Sequence, residues 1–227
     1  MSQNGGKGAP ADTTVIRKAV RCARLQVLPD GTLRVVAPQS FDVDRFLHRH
    51  AVWIERRRLE LDRMGAEGVG KEHRLLMSGR FYQPVRGPLV AFDEESAIIT
   101  YPSLAGLKKS LIRMLKDDVF ARLQAYPDLV GPELGRVTVK MQKTKWGSCS
   151  SRRNLNFNLR VIALPGRLRE YIVVHEAAHL KEHNHSDRFW HLVRLHFPDY
   201  RIAEAELKRY WIILERNQVW QALRTAG

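Results

Sequence analysis

The chain has 227 residues, of which 44% are hydrophobic and 27% charged; this is length for one large domain or two small ones, and it excludes a disordered polymer. Its formal net charge is +14, so an anionic partner such as nucleic acid, a nucleotide or an acidic protein face is electrostatically attractive. No run approaches the ~20 apolar residues of a membrane helix, and Met1 to Thr14 lacks the apolar segment of a secretory signal, so a cytoplasmic protein with no membrane partner is expected.

In chain order, residues 1–14 are polar and rich in small residues and read as a flexible tail. Leu25 and Val27 alternate with polar neighbours, Pro29-Asp30-Gly31 follows, and Leu33 and Val35 alternate again, which predicts a hairpin. A helix is expected from Asp42 to Met64, with Phe46, Trp53 and Ile54 in the core and Arg49, Arg56 and Arg63 away from it. Gly79 to Tyr101 is β-rich and punctuated by Pro84, Gly87 and Pro88. A second helix fits Leu104 to Tyr126, stopped by Pro127. Strands are expected around Val137–Val139 and Leu155–Leu159, joined through a loop or wide hairpin over Thr144 to Asn154. Helices over Arg167–Lys181, Ser186–His196 and Asp199–Asn217 complete the chain. Cys22 and Cys149 lie far apart and are expected to be reduced thiols.

The sharpest signal is His175-Glu176-Ala177-Ala178-His179, set between Tyr171-Ile172-Val173-Val174 and Leu180 in a run that reads as a buried helix. Residues four apart on a helix share a face, so both imidazoles can reach one ion at about 2.0–2.1 Å. Glu176 is offset by roughly 100°, where it can serve a metal-bound water without ligating the ion. Ala177 and Ala178 allow close packing behind the site. A catalytic zinc takes three protein ligands and keeps one open position. His183 lies one helical turn on, but three ligands on one straight helix converge poorly. Asn184 can end the helix in a left-handed conformation or cap the next one, letting His185 swing back to the metal. Glu204 and Glu206 offer a two-His-one-Glu alternative, so the third ligand stays open on these grounds, with His185 favoured. The five-residue gap to His185 matches the metzincin spacing, but Glu182 stands where that pattern needs Gly.

Further marks flank the motif: Lys145-Trp146-Gly147-Ser148-Cys149-Ser150, Leu155-Asn156-Phe157-Asn158, Ala163-Leu164-Pro165, Asn184-His185-Ser186 and Phe189-Trp190. In this ordered set, from about Val20 to Tyr210, the sequence resembles the YgjP-like metallopeptidases, a group related to the SprT-like zinc proteins. The resemblance implies zinc (Zn2+) at His175, His179 and His185, with Glu176 as general base. Ala177 departs from the Leu that many members carry, which touches packing rather than chemistry.

The expected fold is α+β: a zincin-like catalytic half with an active-site helix, preceded by a small β-rich module. The expected division is a tail (1–14), the module (15–103) and a metal-binding domain (104–227). The expected function is a zinc-dependent metallohydrolase, a metallopeptidase in which Glu176 activates a zinc-bound water to cut a peptide or protein. Two other readings stay open: a metal-dependent hydrolase of nucleotides or other phosphate-containing substrates, and a nucleic-acid-associated protein with structural zinc. Trp146 and Cys149 either wall the site or pack as anchors, and Arg160, Tyr200 and Tyr210 are candidate oxyanion donors. Lys143, Lys145, Arg152 and Arg153 are expected beside the metal and available to an anionic substrate.

Overall fold

A computed structural model of the chain describes residues 12–132 and 134–226. They fall into two compact units, divided between Glu67 and Gly68.

The first unit carries β1 (Thr13–Arg17), β2 (Arg24–Val27) and β3 (Leu33–Ala37) in the order β1-β3-β2. β2 and β3 form the expected antiparallel hairpin, with Val27 opposite Leu33. Gly31 adopts φ 88° in its turn, where a side chain would be strained. β1 pairs in parallel with β3 from Thr13 to Arg17. The expected tail is therefore too long at its inner end, and its first eleven residues lie outside the described ones. A parallel partner leaves no local turn signal, which is why β1 is not legible from pattern alone.

The single helix expected over 42–64 is two, α1 (Val43–Arg49) and α2 (Ala51–Gly65). The break is His50, at φ −101° and ψ 9°, whose ring nitrogen Nδ1 bonds the Phe46 carbonyl at 2.8 Å. Ile54 and Leu61 are buried, but Trp53 is 46% exposed, contrary to the expectation of a core residue. Phe46 is only half-buried. The buried stripe runs Ile54, Leu61, Gly65, and Trp53 sits about 100° round the helix from it.

The second unit begins with β4 (Leu75–Met77), β5 (Arg80–Arg86), β6 (Ala91–Asp93) and β7 (Ile98–Tyr101), ordered β4-β5-β7-β6. Ser78 and Gly79, both at positive φ, turn the β4–β5 hairpin. Their N–H groups donate to the carbonyls of Ile162 and Ala163. These strands share one core with α3 (Leu104–Gln124), through Leu75, Leu76, Tyr82, Ile99, Leu107, Leu111 and Leu115. The division expected after residue 103 thus falls earlier, because this small sheet buries its apolar side in the following helical core. Ser103 caps α3, its Oγ accepting from Gly106 N–H at 3.0 Å.

After α4 (Pro127–Val130) come β8 (Val137–Lys140), β9 (Gly147–Cys149) and β10 (Leu155–Asn158), ordered β8-β10-β9. β9 runs antiparallel to β10, so the Ser- and Arg-rich segment is a wide hairpin. Leu159 and Arg160 do not extend the strand; residues Leu159–Ala163 turn into a buried 3-10 segment. The remaining helices are α5 (Gly166–Ala178), α6 (Asp187–His196), α7 (Tyr200–Arg216) and α8 (Gln218–Thr225). α8 is not expected from the sequence pattern. It seats Trp220 in the core, whose indole N–H donates to the Leu76 carbonyl at 3.0 Å. The architecture is α+β, and among the described residues no helix is long and apolar enough to cross a membrane.

Candidate metal centre

α5 is buried on most of its circumference: Tyr171, Ile172, Val173, Val174, Glu176, Ala177 and Ala178 are all enclosed. A buried polar side chain is costly unless it is satisfied, so the imidazoles and carboxylate on this helix require partners. α5 ends at Ala178 rather than Lys181, but His179 keeps helical dihedrals (φ −66°, ψ −15°) and stays one turn beyond His175. Their ring centroids are 5.2 Å apart. Asn184 neither takes a positive φ nor caps the next helix. Ser186 does the capping, its Oγ accepting from Phe189 N–H at 3.3 Å.

The linker still returns His185 to α5. His185 Nε2 comes within 3.2 Å of His175 Nε2, and its ring centroid is 4.8 Å from that of His179. One ligand atom from each of the three lies within 4.8 Å of the other two. Nitrogen lone pairs facing each other at this range repel unless a proton or a shared cation lies between them, so the donor set fits a borderline-soft divalent ion.

The far sides of the rings are held as well. His179 Nδ1 contacts the Glu182 carbonyl at 3.0 Å, a hydrogen bond that leaves Nε2 free to ligate. His175 Nδ1 lies 3.4 Å from the Tyr171 hydroxyl, which burial and then the Glu204 charge on α7 raise. Phe189, fully buried, stacks on His179 at 4.4 Å, and Trp190 stacks on His185 at 5.6 Å. Burial, with the neighbouring His179 and His185, pushes His175 down to about 3, and burial also lowers His179. Both rings are thus neutral near pH 7, the form that binds a cation.

Glu176 is 5% exposed, and its Oε2 has no hydrogen-bond partner among the described residues. Burial pushes it up to about 8, with the Lys145 charge opposing. It packs directly on β9: a Cβ placed on Gly147 would stand 2.5 Å from Glu176 Oε1. Only glycine leaves room there for the carboxylate. Cys149, on the same strand, is half-buried; burial and then the Glu176 charge raise its thiol. It therefore lies beside the acid, whereas Trp146 packs edge-on to Trp211 at 4.9 Å as an anchor.

The other candidates separate by position. His183 is exposed and outside the histidine cluster, and Glu206 is ion-paired with Arg167. Glu204 is outside the histidine cluster and lines the cleft beside Trp190. Arg160 is buried against Glu215 at 2.6 Å and under the Trp211 ring, committed to structure rather than to an oxyanion. Arg153 ties the β9–β10 turn to the carbonyls of Leu180 and Val130, so it is a brace rather than an available substrate contact. Tyr200 stacks on Trp190 at 5.1 Å. These two rings, with Asp187, Arg194, Arg201 and Glu204, line a cleft of about 480 Å³ next to His185. Tyr171 and Gly147 carry site roles that pattern reading misses. Tyr171 precedes His175 by one turn, a usable signal, whereas nothing local ties Gly147 to Glu176.

This arrangement, a buried helix whose imidazoles converge with a third from the following linker, is one that could hold a metal ion. The description "YgjP-like, metallopeptidase domain" matches residues 94–210, just over half of the sequence, and the chain belongs to that family. It is accordingly a metallopeptidase, whose substrates are peptides or proteins. The chain is also similar to the crystal structure of the metallopeptidase zymogen of Pyrococcus abyssi abylysin. Identity is 29% over 44% of this chain and 97% of that one, at a TM-score of 0.37. No curated protein matches the chain.

Proposed function

We propose that the protein is a zinc metallopeptidase in which His175, His179 and His185 hold the ion and Glu176 is the general base. The observation that carries this reading is the convergence of three imidazoles within 4.8 Å, one residue from a buried carboxylate with an unpartnered oxygen. When bound, the ion supplies Lewis acidity, acidifying water and polarising the scissile carbonyl. Glu176 takes the proton from the attacking water and later delivers it to the departing amine. Its enclosed position raises its affinity for that proton, and Lys145 tempers the effect. His179 and His175 are kept neutral by burial, so they remain ligands and do not compete as acids. Trp190 and Phe189 shield the imidazoles on one side, and the cleft beyond Trp190 leaves space for a substrate side chain.

The test is Glu176→Gln, which keeps shape and a hydrogen-bonding oxygen but cannot accept a proton. Hydrolysis of an unfolded protein or peptide should fall by about 10²–10⁴, with one zinc per chain retained. His175→Ala, His179→Ala or His185→Ala should each remove most of the zinc. Wild-type turnover by the Gln variant with its metal in place would leave a metal site without this base.

A further inference from the structure

The three imidazoles are not held alike. His175 and His179 sit one turn apart at the end of α5, and His179 Nδ1 is fixed on the Glu182 carbonyl at 3.0 Å. His185 is the exposed member of the cluster and belongs to the linker before α6. Among the described residues, no backbone hydrogen bond holds residues 183–185, and the His185 ring nitrogens meet only His175 Nε2. Hydrogen bonding therefore does not fix the ring that completes the cluster.

Aromatic packing does. Trp190 on α6 lies nearly parallel to His185, at 25° with centroids 5.6 Å apart. Tyr200, the first residue of α7, lies nearly parallel to Trp190 in turn, at 26° and 5.1 Å. Trp190 thus joins the third imidazole to the next helix. The Tyr200 hydroxyl accepts from Arg201 Nε at 3.2 Å. Phe189 also meets His185, edge-on at 4.7 Å, but it touches His175 and His179 as well and is a floor common to all three rings. Successive helical residues point about 100° apart, so Phe189 turns into the core while Trp190 turns towards the linker.

We infer that Trp190, backed by Tyr200, is a positioning residue that holds the His185 ring in the orientation needed to ligate the ion. This rests on the reading of His185 as the third ligand. An exposed histidine on an unbonded linker samples several rotamers, and few of them aim Nε2 at His175. A flat indole against the imidazole removes the others and leaves Nε2 uncovered, 3.2 Å from His175 Nε2. The ring is then ordered on folding instead of when the metal arrives, and affinity gains by that preorganisation.

The experiment measures zinc affinity by chelator competition in Trp190→Ala, Trp190→Phe, Tyr200→Ala, His185→Ala and the double variant His185→Ala/Trp190→Ala. Trp190→Ala should weaken zinc binding by about 3- to 10-fold, the scale of one aromatic pair. Trp190→Phe keeps a flat ring and should lose less. Tyr200→Ala removes the backing ring and should fall between wild type and Trp190→Ala. If Trp190 acts through His185, removing it from the His185→Ala variant, whose two remaining imidazoles bind zinc weakly, should change nothing further. A merely structural loss would weaken zinc by the same factor with or without His185, and that result would overturn the proposal. Melting temperatures of the zinc-free proteins identify a variant that folds poorly; Trp190→Phe and Tyr200→Ala then carry the comparison. Wild-type affinity in Trp190→Ala and Tyr200→Ala, with zinc binding weakened by His185→Ala, would overturn the positioning role and leave the ligand assignment standing. Wild-type zinc affinity in His185→Ala would overturn the ligand assignment, and the positioning role with it.

Discussion

At the scale of single residues, the tightest constraint on the site is the approach of Gly147 to Glu176. An added methyl would lie 2.5 Å from the carboxylate oxygen, well inside van der Waals contact. Either Glu176 rotates away or β9 shifts, and overpacking of this kind costs about 1–3 kcal/mol. Gly147→Ala should therefore reduce kcat by at least tenfold while keeping its zinc, because the three atoms nearest an added Cβ all belong to Glu176. Paired measurements of turnover and metal content check this, and full activity would mean that the position of Glu176 is not critical. The His175-Glu176-x-x-His179 pattern is legible because helical period alone places its three polar groups. The partner of Glu176 is not, because Gly147 lies on a strand far away in sequence and carries no side chain to announce a role.

At the scale of elements, the active-site helix is held by neighbours on several sides. Arg169 on α5 pairs with Asp118 on α3 at 3.2 Å, and Tyr126 bonds Glu170. Arg160 and Glu215 join the 3-10 segment to α7 at 2.6 Å, with Arg160 only 1% exposed. Removing one partner of such a pair leaves a buried charge, which costs roughly 3–5 kcal/mol. Glu215→Ala should thus lower stability by that order in denaturant unfolding of the zinc-free protein, whereas Glu206→Ala, whose partner Arg167 is exposed, should cost under about 1 kcal/mol. Equal effects at the two sites would show that Arg160 finds another partner. α8 adds a second hold, outside the span of the family match: Trp220 fills the core and Asn217 Nδ2 donates to the carbonyls of Lys71 and Arg74. The amphipathic helices were readable from period, with ends correct to a few residues. The break at His50 and the added helix α8 were not. His50 ends its helix through a ring contact with a backbone carbonyl, and α8 is short, with few apolar positions to show a period.

At the scale of the whole molecule, the net charge of +14 is spread across both units. Lys143, Lys145 and Arg152 are exposed on the segment that carries β9, and the Lys145 charge reaches Glu176. Exposed charges are screened within about 10 Å at 0.1 M salt. For an acidic peptide, KM should rise with ionic strength, and Lys143→Glu or Arg152→Glu should raise it further with little change in kcat. A neutral peptide of the same length should show neither effect. A salt response identical for both peptides would place substrate recognition away from this basic segment, and turnover of a nucleoside triphosphate in the same assay would favour a phosphate substrate.

The sequence by itself determined the α+β class, most helices, the hairpin of the first unit and the two imidazoles one turn apart at the end of α5. Each depends on a short-range rule: side chains four apart share a helix face, and alternating residues share a strand face. It also pointed to the family, through an ordered set of marks on either side of the histidine motif. Tertiary structure decided what lies between elements. It joined residues 75–101 to the helical core, paired β1 in parallel with β3, and closed His185 onto His175 although Asn184 makes no left-handed turn. It set Glu204 outside the histidine cluster and turned Arg153 from a possible substrate contact into a brace. The reason is the same in each case: a side chain's role depends on which distant atoms packing brings within about 3 Å, and no local period encodes that.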